Sequence, residues 1–285
     1  MHDATKNCCF LIPVHPKHYH YVYDIMNKSY DVPFVCYILF TNRGEYELFG
    51  LKYVFGEEEG KFRALFLEDL CALRDMWGEF DRARSWINVK KLLGVRHLYR
   101  TTEFASILVV DAEVTFIPQK EGVSHEALVK MSCDRACIIG TEHNGDAPII
   151  QKINHNAMSV LPRDWYDRMC ELTNSRRFLA WFTNIPIYER KYLGEFFEAV
   201  GEDFVRKLTY HSFDHVVYYL FLAYKGYVTL DRVDVGLECY PHIDKFVQIS
   251  GKYPILWVTN RIYINDPEYF MRHPHTFIVF HLDRR

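Results

Sequence analysis

Ile107-Leu108-Val109-Val110-Asp111-Ala112-Glu113-Val114-Thr115-Phe116 is the stretch on which the reading of this chain turns. Four aliphatic residues in a row, three of them β-branched, predict a strand covered on both faces, as in the middle of a parallel sheet. An acid closing such a strand is costly unless it meets water, a cation or hydrogen-bond donors, and the carboxyl ends of strands in open α/β sheets are where ligands bind. Asp111 and Glu113, two apart on an extended chain, point to the same side, so both are candidate ligands for one hard divalent cation. The plainer alternative is that Asp111 caps the next turn, since an acid-x-acid spacing arises readily in a chain that is 25% charged.

Working outward, the chain before this strand predicts a β-α-β-α-β opening. Cys8 to Val14 is a strand ending in the loop His15-Pro16-Lys17, Tyr19 to Asn27 a helix, and Val35 to Phe40 a second, wholly apolar strand ending at Thr41-Asn42-Arg43-Gly44. A short helical stretch at Glu45 to Gly50 and a third strand at Lys52 to Phe55 follow. Lys61 to Trp77 carries apolar residues at Phe62, Leu65, Phe66, Leu70, Leu73 and Trp77, a helical stripe, and Trp86 to Tyr99 repeats it. Lys90 and Lys91 sit on that last helix, where two adjacent lysines are ordinarily a solvated face.

Composition bounds the function classes. The 285 residues, 49% hydrophobic, suffice for a large core. With 34 basic and 37 acidic residues and no block of one sign, nothing marks a nucleic-acid surface. No apolar run reaches the length of a transmembrane segment and the polar opening does not read as a signal peptide. The 8 cysteines are scattered and lack paired zinc-site spacing, so they read as buried thiols; the expected location is cytoplasmic.

A first strand ending near Pro13, a second ending in a small polar loop, a lysine-bearing helix and a four-aliphatic strand running into acid-x-acid together resemble the type-A (GT-A) glycosyltransferases. The resemblance covers most of the chain in layout; its sharp part is the triplet and its strand. It implies an α/β fold, GT-A-like, with a Rossmann-related, mostly parallel central sheet flanked by helices. The chain is then a single domain over 1–285, with 1–117 the nucleotide-sugar-binding half and 118–285 the acceptor-binding half. In that family the triplet is usually Asp-x-Asp and binds manganese or magnesium (Mn2+ or Mg2+) bridging the diphosphate of a sugar nucleotide; Glu113 is the departure here. The donor expected is a nucleoside-diphosphate sugar, UDP- or GDP-linked. Its site would comprise Pro13, Val14, His15, Asn42, Lys90, Lys91, Asp111, Ala112 and Glu113.

The second half supplies the expected acceptor side. Ala136 to Gly140 predicts a strand, Arg163 to Leu172 a helix, Phe178 to Tyr188 an aromatic extended segment, and Glu189 to Val200 and Ser212 to Lys225 helices. Trp181 offers a flat ring for a pyranose, with Asn184 beside it, although a tryptophan in such a run serves a core equally well. Asp214, in the first turn of its helix, complements the helix dipole or faces the cleft as a base; it and Glu189 are the candidate catalytic acids. Thr276 to Phe280 predicts a strand ending at His281, the histidine the resemblance would add to Asp111 and Glu113 as a metal ligand, with His273 and His275 as rivals.

The expected function is therefore transfer of a sugar to a hydroxyl of a glycan or other acceptor. A haloacid-dehalogenase-type phosphatase with Asp111 as nucleophile, and a binding module without turnover, are the alternatives.

Overall fold

The structure is a computed structural model that describes residues 7–28, 34–53, 61–70, 78, 80, 85–118, 136–140, 147–173, 179–182, 186–232, 255–258 and 277–281. For 114–118, 136–140, 179–182, 229–232, 255–258 and 277–281 the description is of the backbone.

In chain order, β1 (Cys8–Pro13), a 3-10 turn (Pro16–His18), α1 (Tyr19–Lys28), β2 (Val35–Phe40), α2 (Arg43–Lys52), β3 (Phe62–Phe66), α3 (Leu67–Leu70), α4 (Trp86–Thr101) and β4 (Ser106–Val109) make the first part. Then come β5 (Val114–Pro118), β6 (Ala136–Gly140), α5 (Ala147–Met158), α6 (Asp164–Thr173), β7 (Leu179–Phe182), β8 (Ile187–Glu189), α7 (Arg190–Val200), α8 (Phe204–Lys207), α9 (Asp214–Tyr224), β9 (Thr229–Arg232), β10 (Ile255–Val258) and β11 (Phe277–His281).

The central sheet has the order β3-β2-β1-β4-β8. Its first four strands are parallel and β8 runs antiparallel to β4, which makes the protein a Rossmann-like α/β structure. Two three-stranded sheets, β10-β11-β5 and β7-β6-β9, accompany it.

The continuous apolar runs have the predicted cause. Alternate residues of each inner strand enter two separate cores. Cys9, Leu11, Tyr37, Leu39, Ile107 and Val109 face α4, α7 and α9, whereas Phe10, Ile12, Ile38, Phe40, Leu108 and Val110 face α1 and α2. The first core draws on residues from Cys9 through Ala223, so the halves 1–117 and 118–285 share it. Helix α4 presses close to the sheet: a Cβ on Gly94 would lie 2.7 Å from Leu11 Cδ2 and 3.1 Å from Leu39 Cδ2, so a larger residue there makes these buried leucine side chains shift.

Two expectations fail between β2 and α4. Lys52 ends helix α2, so no strand begins there, and 54–55 lie outside the described residues. The third strand is instead Phe62–Phe66, paired in register with Cys36 to Phe40, where a helix was expected; of that helix only Leu67–Leu70 is helical, and 71–77 lie outside the described residues. The reason is two-faced burial. Phe62, Ala64 and Phe66 pack into one core and Leu65 into the other, a pattern that also satisfies the i, i+3, i+4 spacing of a helix.

Candidate functional site

From β1 the chain winds outward to β2 and β3, then returns across the sheet to place β4 on β1's other side. The carboxyl ends of β1 and β4 therefore diverge at a topological switch point, the position where open α/β sheets bind ligands. Backbone bonds fix the level: Val14 N donates to Leu39 O at 3.0 Å and Val110 N to Leu11 O at 3.0 Å. Pro13 at the end of β1 with Val14 and His15 after it, Asn42 after β2, and Asp111, Ala112 and Glu113 after β4 thus share one sheet edge.

Two adjacent lysines of α4 brace this edge, and neither is solvated. Lys90, 5% exposed, donates from Nζ to Val14 O at 2.8 Å and lies 3.8 Å from Glu45 Oε2. Lys91, 8% exposed, places Nζ 2.7 Å from Asp111 Oδ1 and 3.5 Å from Asp214 Oδ1. Neighbours on a helix diverge by about 100°, which is how consecutive residues reach two different loops. Burial lowers the Lys90 ammonium to about 8, with Glu45 opposing. Burial would lower Lys91 as well, but the carboxylates of Asp111, Asp214 and Glu113 reverse the effect and hold it above the usual lysine range.

Asp214 opens α9 yet is only 1% exposed. Tyr188 OH donates to its Oδ2 at 2.5 Å, and His215 Nδ1 stands 3.8 Å from its Oδ1. Burial alone would raise this carboxyl; Lys91, His215 and Tyr188 together hold it well below the usual carboxylate range. A carboxylate so enclosed, in the first turn of α9, braces Lys91 from within the core.

Glu189, the other candidate catalytic acid, stands apart from the sheet edge that carries Asp111. Because β8 runs antiparallel to β4, Glu189 pairs with Ser106 at the start of β4, five residues before Asp111. At about 3.3 Å per residue that is roughly 16 Å from the crevice.

The turn after β4 changes the geometry expected of the acids. Ala112 and Glu113 lie in a turn, so the chain is not extended there, and the carboxylates take different partners: Asp111 meets Lys91, and Glu113 Oε2 meets His18 Nδ1 at 3.1 Å. Asn42 caps α2, its Oδ1 accepting from Glu45 N at 2.9 Å, while Glu45 reaches back to Thr41 N and Oγ1 at 2.7 and 2.6 Å. His15 caps the 3-10 turn by accepting from Lys17 N. Trp181 lies on β7, opposite Ile138 of β6, and Asn184 lies outside the described residues. His281 ends β11, and its register partner is Val114, the residue after Glu113.

Sequence reasoning missed His18, Glu45 and Tyr188. The spacing His15-Pro16-Lys17-His18 beside the first strand was a usable signal for His18. Tyr188, one ring among many, carried none.

The residues suit a hard divalent cation by charge. Asp111, Glu113, Asp214 and Glu45 against Lys90 and Lys91 are four carboxylates and two ammonium groups. Among the described residues no group of three or more His, Cys, Asp or Glu side chains forms a ready-made metal cage. Asp111 and Glu113 are the side chains nearest in sequence that could contribute to holding such an ion, each now engaged with a partner of its own, Lys91 and His18.

Fold and crevice together define an α/β protein of Rossmann-like build with an acid-lined switch point. No protein-family model matches the chain, and a search of curated proteins finds no match.

Proposed function

We propose that the protein is a metal-dependent glycosyltransferase of the GT-A type that transfers a sugar from a UDP- or GDP-sugar to a hydroxyl of a glycan or small acceptor. The observation that carries the reading is Asp111: the first acid of an acid-x-acid turn, at the carboxyl end of a central strand, beside the switch point, with a buried ammonium 2.7 Å away. When bound, the manganese or magnesium ion supplies electrostatic stabilisation of the departing diphosphate.

The chain's own residues do the rest. Asp111 and Glu113 would hold the ion. Lys90, by donating to Val14 O, fixes the β1 loop that lines the nucleotide pocket with His15. Lys91 holds the Asp111 carboxylate in place at the sheet edge, and it does so without reorganisation because Asp214 orients its ammonium from the other side. Asn42 contributes through the loop it caps, its side-chain oxygen being committed to α2. His281, placed by register beside the turn, is the further candidate ligand.

Among the described residues no helix is long and apolar enough to cross a membrane. Cys9 and Cys36 serve as buried core residues of the central sheet, a use of cysteine that suits a reducing compartment, so we propose the cytoplasm.

The test is thermal melting with manganese and a panel of nucleoside diphosphates, because a ligand of the native state must raise the melting temperature. One diphosphate should raise it in the presence of manganese for the wild type and fail to do so for Asp111→Asn. An equal rise in both proteins refutes the site. Absence of any rise, together with turnover of a phosphomonoester, moves the assignment to the phosphatase chemistry with Asp111 as nucleophile.

A further inference from the structure

Four elements meet in one buried chain of contacts. Tyr188 of β8, fully buried, donates to Asp214 Oδ2 at 2.5 Å; Asp214 of α9 faces Lys91 Nζ from Oδ1 at 3.5 Å; Lys91 of α4 holds Asp111 Oδ1 at 2.7 Å after β4. His215 Nδ1, 3.8 Å from Asp214 Oδ1, Glu113, which acts on Lys91 through space, and the phenols of Tyr218 and Tyr219, which act on Tyr188, also face the chain. One ammonium is thus divided between two carboxylates, and the two are not equivalent. Asp214 is sealed in the core, whereas Asp111 lies at the crevice with its side chain 22% exposed.

We propose that Tyr188 and Asp214 are positioning residues that, by competing with Asp111 for Lys91, set how tightly Asp111 holds a divalent cation. The inference rests on the metal-site reading of Asp111 given above and adds the residues that tune it. A cation arriving at Asp111 works against the Lys91 ammonium. The more of that ammonium Asp214 takes up, the less Asp111 is neutralised in advance, and the stronger its hold on the cation.

The arrangement gives two substitutions opposite signs. Asp214→Asn hands Lys91 wholly to Asp111 and removes a negative charge, so cation binding weakens. Tyr188→Phe takes from Asp214 its shortest hydrogen bond, so Asp214 leans harder on Lys91, draws it from Asp111, and cation binding strengthens. A role in mere structural integrity would weaken binding in both variants.

The experiment is calorimetric titration of manganese alone into the full chain, wild type and both variants, with near-ultraviolet circular dichroism to confirm that each is folded. Asp214→Asn is expected to raise the dissociation constant about tenfold, within the usual range of coupling between sites, and Tyr188→Phe to lower it a few-fold. Changes of the same sign, or no change, overturn the proposal. A wild type that takes no manganese brings down the metal reading instead, and the relay is then read in the unliganded protein by the 13C carboxylate resonance of Asp111. That resonance should move on Tyr188→Phe; its constancy would overturn the relay independently of any metal.

Discussion

Replacing Lys91 by methionine removes the shared ammonium and keeps the apolar stem. Two carboxylates lose their partner, and they differ in what they can do about it. Asp111 has water at the crevice and relaxes towards it. Asp214, at 1% exposure, has none, and the Tyr188 phenol and His215 are left to offset its charge. Breaking one side of a buried ion pair in this way costs about 3–5 kcal/mol, a large share of the roughly 5–15 kcal/mol that holds a domain together. Urea unfolding should show the loss as a lower midpoint at an unchanged slope. Adding Asp214→Asn to Lys91→Met removes the stranded charge and should bring the protein back to within about 2 kcal/mol of wild type, since exchanging a whole buried pair for uncharged groups is often close to neutral. The sign of the pH dependence follows from the same contacts. In the wild type Asp214 sits below its unfolded value, so its contribution is present above the unfolded carboxylate range near pH 4 and fades as pH falls through the folded value. Without Lys91 burial dominates and raises it, so the variant's deficit narrows as the pH is lowered from 7 towards 4. A deficit under about 1 kcal/mol, or one constant over that range, refutes the claim that Lys91 is the counter-charge of a sealed carboxylate.

Three further outcomes follow from other contacts. Lys90, lowered by burial to about 8, binds its proton more weakly in the folded than in the unfolded chain, so it adds stability as pH rises from about 8 to about 10.4. That rise, roughly 3 kcal/mol at full effect, should be missing from Lys90→Met in unfolding curves across this window; parallel curves would contradict it. Gly94→Ala, with its Cβ 2.7 Å from Leu11 Cδ2 in a packed core, should cost about 1–3 kcal/mol in the same assay, and a melting temperature equal to wild type would show that α4 stands farther from β1. Glu189→Gln should leave nucleotide binding and turnover unaltered; a tenfold loss of turnover in a normally folded variant would mean that the acceptor reaches the far edge of the sheet.

The inner strands were legible because physics leaves little choice there. Cys8 to Pro13, Val35 to Phe40 and Ile107 to Val110 are apolar on both faces, and a short run of that kind, bounded by polar loops, has its best home in a covered parallel sheet. Phe62-Arg63-Ala64-Leu65-Phe66 was not legible, since an edge strand packed on both faces and a helical stripe place apolar residues at the same positions. At the site, the residue types could be read and their partners could not. Asp111 and Lys91 carry their chemistry in their identity, but that one ammonium lies between Asp111 and Asp214 depends on where α4 and α9 pack, a matter of tertiary distance. The position of Glu189 was hidden for a related reason: nothing local in Ile187-Tyr188-Glu189 reveals that β8 runs antiparallel to β4 and sets its last residue opposite Ser106.

The β1 loop and the β4 turn at the switch point are both tied to α4. Gly94 lets the helix lie against Leu11 and Leu39, and one turn earlier Lys90 and Lys91 emerge at the end of the sheet. Lys90 then takes the carbonyl of Val14 on one side of the switch point and Lys91 the carboxylate of Asp111 on the other. Both ammonium groups are buried, and an unpaired buried charge is too costly to leave its partner easily, so each loop is tied to a rigid helix by a bond that resists breaking. The β1 loop and the β4 turn therefore hold their separation before any ligand arrives, and binding energy that would otherwise go into ordering them remains for the ligand. Shifting α4 relative to β1 moves both loops at once, so substitutions at Gly94, which touches no candidate ligand, act on the crevice through the two lysines that follow the helix.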